Sequence, residues 1–218
     1  MRKIIFLVLF AFTILHFISP CYSSTPAPIT SCSQLSTITN GSYVLNSDLD
    51  CSGTKYTPNL TGFCGSIDGQ NHTIRGLTTN SSAIFVSNTG TTTISNIYFY
   101  NITINSGASA VGTLFGSVTF TISVENVHVY GDNSVANTVK GNRQVGGLIG
   151  CIILTTNTAS FANCTVSYTV VSGTSTTSGS TSGYVGGIVG LVNSGTIMIT
   201  DCHNLGFPNN PSATIVQG

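Results

Sequence analysis

Charge is scarce in this chain: six Lys or Arg and six Asp or Glu among 218 residues, against a hydrophobic fraction of 41%. Two of the basic residues, Arg2 and Lys3, sit at the start. The others, Lys55, Arg75, Lys140 and Arg143, face Asp48, Asp50, Asp68, Glu125, Asp132 and Asp201, and none of them cluster. A nucleic-acid surface needs a basic stripe to neutralise phosphates, so that class of partner is excluded. Disorder is excluded as well, because its signature is low hydrophobicity with high net charge. The chain has no C-x-x-C pair and its four histidines are scattered, which argues against zinc. Helical spacing is not sustained after residue 23. No second long apolar run and no C-terminal hydrophobic tail offers a membrane span or a lipid anchor. Nothing in the sequence calls for a cofactor or a metal.

What the chain does have begins with Arg2 and Lys3 ahead of an apolar run from Ile4 to Ile18, closed by Pro20, Cys21, Tyr22 and Ser23. This is a secretory signal peptide in outline, residues 1–23, with cleavage expected after Ser23. The run is shorter than the roughly 20 residues of a spanning helix. The expected location is therefore secreted or cell-surface, with no membrane span after cleavage. A Pro/Ser/Thr-rich start, 24–31, leads into about 195 residues of one domain. Cleavage removes Cys21 and leaves Cys32, Cys51, Cys64, Cys151, Cys164 and Cys202, an even set that an exported chain would oxidise. Cys32 and Cys51 flank the first strand, and Cys164 and Cys202 occupy equivalent places in successive repeats, so these are the preferred disulfide pairs. Glycosylation sequons fall at Asn40, Asn59, Asn71, Asn80, Asn101 and Asn163.

A recurring glycine-rich stretch organises the rest: "VGTLFG" from Val111, "VGGLIG" from Val145 and "VGGIVG" from Val185, spaced 34 and then 40 residues apart. Each is followed by a second element, "ISVENVHV", "SFANCTVSYTVV" and "IMITDCHNLG", with an earlier copy in "ISNIYFYNITI". Asn96, Asn126, Asn163 and Asp201 fall in register, and the three asparagines are expected to stack as an amide ladder. Alternation places Ile94, Asn96, Tyr98 and Tyr100 on one face of a strand. The glycine stretches are read as strands whose glycines allow tight bends and close backbone approach. All-β structure is expected, as a right-handed parallel β-helix or β-solenoid, with N-terminal strands and a first coil over 32–80 and repeated coils over 81–218. The last coil, ending in "PSATIVQG", lacks the next glycine stretch. It is expected to be incomplete, open to end-to-end association.

With "NGSYVLNSDLDCSG" from Asn40, "FCGSIDGQNHTIRGL" from Phe63 and the repeated "VGGLIG", the chain resembles the GLUG-repeat proteins over Cys32 to Gly206. The resemblance implies a right-handed parallel β-helix in a secreted or surface protein of adhesin-like kind. It implies little about chemistry, since a fold hosts many functions.

Three acids deserve weighing, because β-helical polysaccharide lyases and glycosidases work with acids on one exposed face. Asp48 and Asp50 point to the same side of a strand, and Asp68 could join them as an acidic or cation site. Alternatively Asp48 and Asp50 end a strand and Asp68 caps a turn. His72, His128 and His203 have no partner indicated by spacing, and no catalytic residue is assigned. The "TTTIS" and "TFTIS" segments raise a third possibility, rows of threonines of the ice-binding kind. The leading expectation is a non-enzymatic protein that binds glycans or extracellular proteins, or serves as a spacer. A carbohydrate-active enzyme and an ice-binding solenoid are the alternatives.

Overall fold

The computed structural model describes residues 21, 25–58, 62–131, 136–167, 169–173 and 183–205. The expected signal segment up to residue 20, the sequon at Asn59, Asp132, the Ser/Thr-rich stretch 174–182 and the end of the chain from 206 lie outside the described residues.

Strands form where β-branched and aromatic residues alternate with polar ones. The chain opens with β1 (Ala27–Ile29), the short helix α1 (Cys32–Leu35), β2 (Gly41–Leu45) and β3 (Leu49–Asp50). Next come β4 (Phe63–Arg75) and β5 (Thr78–Thr79), then β6 (Phe85–Tyr100), β7 (Thr103–Asn105) and β8 (Ala110–Val111). β9 (Phe115–Val118), β10 (Ile122–Tyr130), β11 (Asn137–Gly141) and β12 (Gln144–Gly146) follow. The last are β13 (Ile149–Ala162), β14 (Thr165–Ser167), β15 (Thr169–Gly173), β16 (Tyr184–Gly186), β17 (Val189–Thr200) and β18 (His203–Leu205). Every pairing between these strands is parallel.

The all-β class stands, but the right-handed parallel β-helix expected from the repeats does not. The strands form three parallel sheets of eleven, four and three strands, and the large sheet branches, with β4, β6, β10 and β13 each pairing with three others. The two small sheets begin only at β5 and β8, so the layers are not equivalent coils of a solenoid. Repeat spacing fixes which strands meet and in what register. It does not fix how many sheets form or where each begins: the glycine stretches supply β8, β12 and β16 of the three-stranded sheet, and no such stretch precedes Val111.

The core is made of columns of inward side chains. Register aligns Ile67, Ile94, Val124 and Phe161, and likewise Ile74, Phe99, Val129 and Val166, none more than 1% exposed. Each such side chain contributes roughly 1.5–3 kcal/mol relative to leaving it in water. Along the same interior the rings of Phe63, Phe85 and Phe115 follow one another at centroid spacings of 5.5 Å. Leu35 and Ile38 fill the end of this interior beside Tyr56 and Phe63.

The glycine stretches turn out to be corners. In "QVGGLIG", β12 ends at Gly146, Gly147 and Leu148 turn the chain, and β13 starts at Ile149. Close approach, more than backbone conformation, demands glycine there: a Cβ on Gly146 would strike the Ile149 carbonyl oxygen, and one on Gly147 the Gly187 carbonyl oxygen.

The two ends of the stack differ. At the first, β1 is three residues long with Pro28 inside it, and Gln34 of α1 accepts hydrogen bonds from the amides of Thr30 (2.6 Å) and Ser31 (3.1 Å). Disulfides join Cys21 to Cys64 and Cys32 to Cys51 near the same end. At the other end β15, β16, β17 and β18 are each paired on one side only among the described residues.

Candidate functional site

The outward face of the large sheet carries two columns set two residues apart, as strand alternation requires. The first runs Asp50, Arg75, Tyr100, Tyr130 across β3, β4, β6 and β10, each pair in direct register. The second runs Thr73, Tyr98, His128, Thr165 and His203 across β4, β6, β10, β14 and β18. Between them lies the buried column of Ile74, Phe99, Val129 and Val166, which fixes the direction of both.

The rings contact one another on this surface. Tyr98 stacks on His128 with centroids 4.9 Å apart and planes 25° from parallel, Tyr98 meets Tyr130 edge-on at 6.1 Å, and Tyr100 lies against Tyr130 at 5.1 Å. All four are half-buried, so each ring keeps part of its surface in water. Burial pushes the His128 pKa down, favouring a neutral imidazole. Its Nε2 lies 2.8 Å from Asn126 Oδ1, and since an amide oxygen only accepts, Nε2 carries the hydrogen.

Acids and bases edge the aromatic face. Arg75 Nη2 donates to Asp50 Oδ2 at 2.7 Å, and the Ser52 amide donates to Asp50 Oδ1 at 3.0 Å. Hydrogen bonds from Ser52, with Arg75 beside them, hold the Asp50 carboxyl down at about 2. Asp48 Oδ1 accepts from the Thr73 amide at 2.9 Å and lies 3.1 Å from His72 Nδ1, and the Thr73 amide first, then His72, lower its pKa. Asp48, Asp50, Thr73, Arg75, Tyr100 and Tyr130 together line a cleft of about 340 Å³. A second depression, about 370 Å³, is lined by Gly53, Thr54, Lys55, Thr78 and Asn80 and carries no ring.

The structure thus brings Asp48 and Asp50 together and leaves Asp68 elsewhere. Asp68 Oδ1 accepts from the Gln70 amide and from Asn96 Nδ2, both at 3.0 Å, and starts a ladder. Asn126 Nδ2 donates to Asn96 Oδ1 at 3.0 Å and Asn163 Nδ2 to Asn126 Oδ1 at 3.1 Å. The ladder residues Asn96, Asn126 and Asn163, with Asp201, all have φ between 50° and 53°, a left-handed corner that short polar side chains tolerate. Among the sequon residues, Asn40 Oδ1 accepts from the Cys64 amide at 3.1 Å, Asn71 and Asn163 take part in the ladder, Asn80 is exposed and Asn101 is half-buried.

Two expectations about the cysteines need correction. Cys32 and Cys51 are joined, but Cys164 and Cys202 are free thiols, with the Cys164 amide 3.4 Å from Cys202 Sγ. Burial pushes the Cys164 thiol up to about 12. Cys21, which cleavage after Ser23 would remove, is instead the partner of Cys64. The row expected to carry threonines reads Thr93, Ser123, Ser160 and Met198, and Thr92 points inward, fully buried. That is no flat threonine surface.

No protein-family model matches the chain, and no curated protein sequence matches it. A crystal structure of a candidate immunoglobulin A1 protease from Bacteroides ovatus is similar, with a TM-score of 0.52 and 19% identity, covering 84% of this chain and 68% of that one. At that identity the likeness concerns the fold alone. Two disulfides fit an oxidising location, and among the described residues no helix is long and apolar enough to cross a membrane.

Sequence reasoning missed Arg75, Tyr130 and the union of Tyr98 with His128. The signal was there: counting from the aligned Asn96 and Asn126, Tyr98 and His128 share one offset and Tyr100 and Tyr130 the next.

Proposed function

We propose that this chain is a secreted or cell-surface recognition protein of the GLUG-like, adhesin-like kind, and that it binds glycans on the face formed by Tyr98, Tyr100, His128 and Tyr130. The observation that carries this reading is the aromatic row beside the Asp50–Arg75 pair. Sugar rings present C–H faces that pack on aromatic rings and hydroxyls that take up bidentate partners, and the surface supplies both at adjacent positions. An extracellular address is supported by the Cys32–Cys51 disulfide, which signal cleavage leaves intact, and by the signal-like start of the sequence.

The acids favour binding over glycoside hydrolysis. A glycosidase needs one carboxyl held protonated as a proton donor, and both Asp48 and Asp50 have pKa values lowered, with Asp68 tied into the ladder. The experiment is a glycan array probed with the folded secreted chain, repeated with Tyr130→Ala and Asp50→Asn. Retention of one glycan class, weakened roughly tenfold or more by either substitution, is expected. Hydrolysis or cleavage of a bound polysaccharide, or binding indifferent to both substitutions, overturns it.

A further inference from the structure

In the last layer of strands two core-type side chains are left about half exposed among the described residues. In β17, Val192 and Ile199 stand in register with Ile152 and Phe161 of β13. The two in β13 are at most 1% exposed, whereas Val192 is 47% and Ile199 53% exposed. Met198, Leu205, Val170 and Tyr184, whose register partners Ser160, Ser167, Thr138 and Gln144 face outward, add exposed apolar surface around this rim. Beside these side chains runs the outer edge of β17, twelve residues whose outward N–H and C=O groups pair with no strand among the described residues. Natural edges are blunted by lysine, proline, brevity or a covering element. Val189–Thr200 has no charged residue and no proline, and its one irregular stretch, with register shifts against β13 between Val192 and Thr196, leaves regular segments on either side. The opposite end has those devices: a three-residue strand containing Pro28, the helix α1 and two disulfides nearby.

We infer that this end of the stack is a self-association surface, and that its partner is the same end of a second copy. The partner must offer a strand, because a row of unpaired backbone groups is satisfied by another such row. Head-to-tail growth would need the other end as a docking surface, and that end is closed by short strand, proline and helix. A two-fold axis normal to the large sheet makes β17 and its copy antiparallel neighbours and keeps the inward side chains of both on the same face, so that Val192 and Ile199 of both chains become interior. With no charge between Val189 and Thr200, the surface does not repel its copy. The contact is isologous and closes at two.

Sedimentation velocity of the folded, secreted chain over a micromolar concentration series tests this, alongside a Val192→Lys, Ile199→Lys double variant. Both side chains are already half exposed within one chain, so the variant should keep its far-UV circular dichroism. The expected result is a mass of two chains for the unsubstituted protein and a dissociation constant weakened roughly tenfold or more in the variant. Should the variant not be recovered, amide hydrogen exchange of the unsubstituted chain decides: β17 amides gain protection as concentration rises. A single-chain mass at all concentrations overturns the inference, as does growth beyond two. So does β17 protection that is independent of concentration, which would place residues 206–218 over the edge.

Discussion

At Asn126 the backbone sits at φ 52° while the side chain donates to Asn96 and accepts from Asn163 and His128. Conformation and hydrogen bonding can be separated by substitution. Asn126→Gly keeps the corner and loses the amide, costing about 1–2 kcal/mol for the bonds broken. Asn126→Ala loses both and should cost roughly 1 kcal/mol more, since a Cβ disfavours the left-handed region. Urea denaturation of the three proteins measures the order, and equal stabilities of the Gly and Ala variants would refute the conformational part. Asp50 gives the corresponding pH statement. Its folded pKa of about 2 lies below the ordinary value of 3.8, so the link to Ser52 and Arg75 is complete above about pH 4 and is lost as pH falls toward 2. Glycan binding should therefore be insensitive to Asp50 protonation from neutral pH down to about 4, and isothermal titration across that range checks it. The ladder itself was legible, because three asparagines recur at one offset. The left-handed corner was not, because the same residues also occur in extended backbone.

Among the elements, the glycine corners carry the tightest constraint. Gly147→Ala places a methyl group against the Gly187 carbonyl oxygen and the Val166 side chain, so one backbone must move away from the next. A loss of about 3 kcal/mol or more is expected, enough to lower the thermal midpoint by several degrees. Gly107→Ala, which meets nothing within 4 Å, serves as the control and should be nearly neutral. A calorimetric scan in which both variants melt with the parent would sink the packing explanation. The sequence marked these sites through repetition but read them as strands. Val145, Leu148 and Ile149 are all fully buried, and a short apolar run cannot be divided into strand, corner and strand by periodicity alone.

For the molecule as a whole, repeat spacing revealed parallel stacking and the inward columns, because partner strands 30 to 40 residues apart repeat the same pattern. It could not reveal three unequal sheets, nor that β3, which belongs to no repeat, would bring Asp50 into register with Arg75 and so complete the cleft. The paired end-on arrangement argued for β17 belongs to this scale too, and its two-chain mass is the measurement that checks it.

Both covalent cross-links lie between residues 21 and 64, leaving the described strands beyond held by strand pairing and packing alone. The stack is consequently fastened at one end. Tension applied at Leu205 would be resisted by strand pairing and packing alone as far as Cys64, and there the cross-links would hold the preceding segment in a loop.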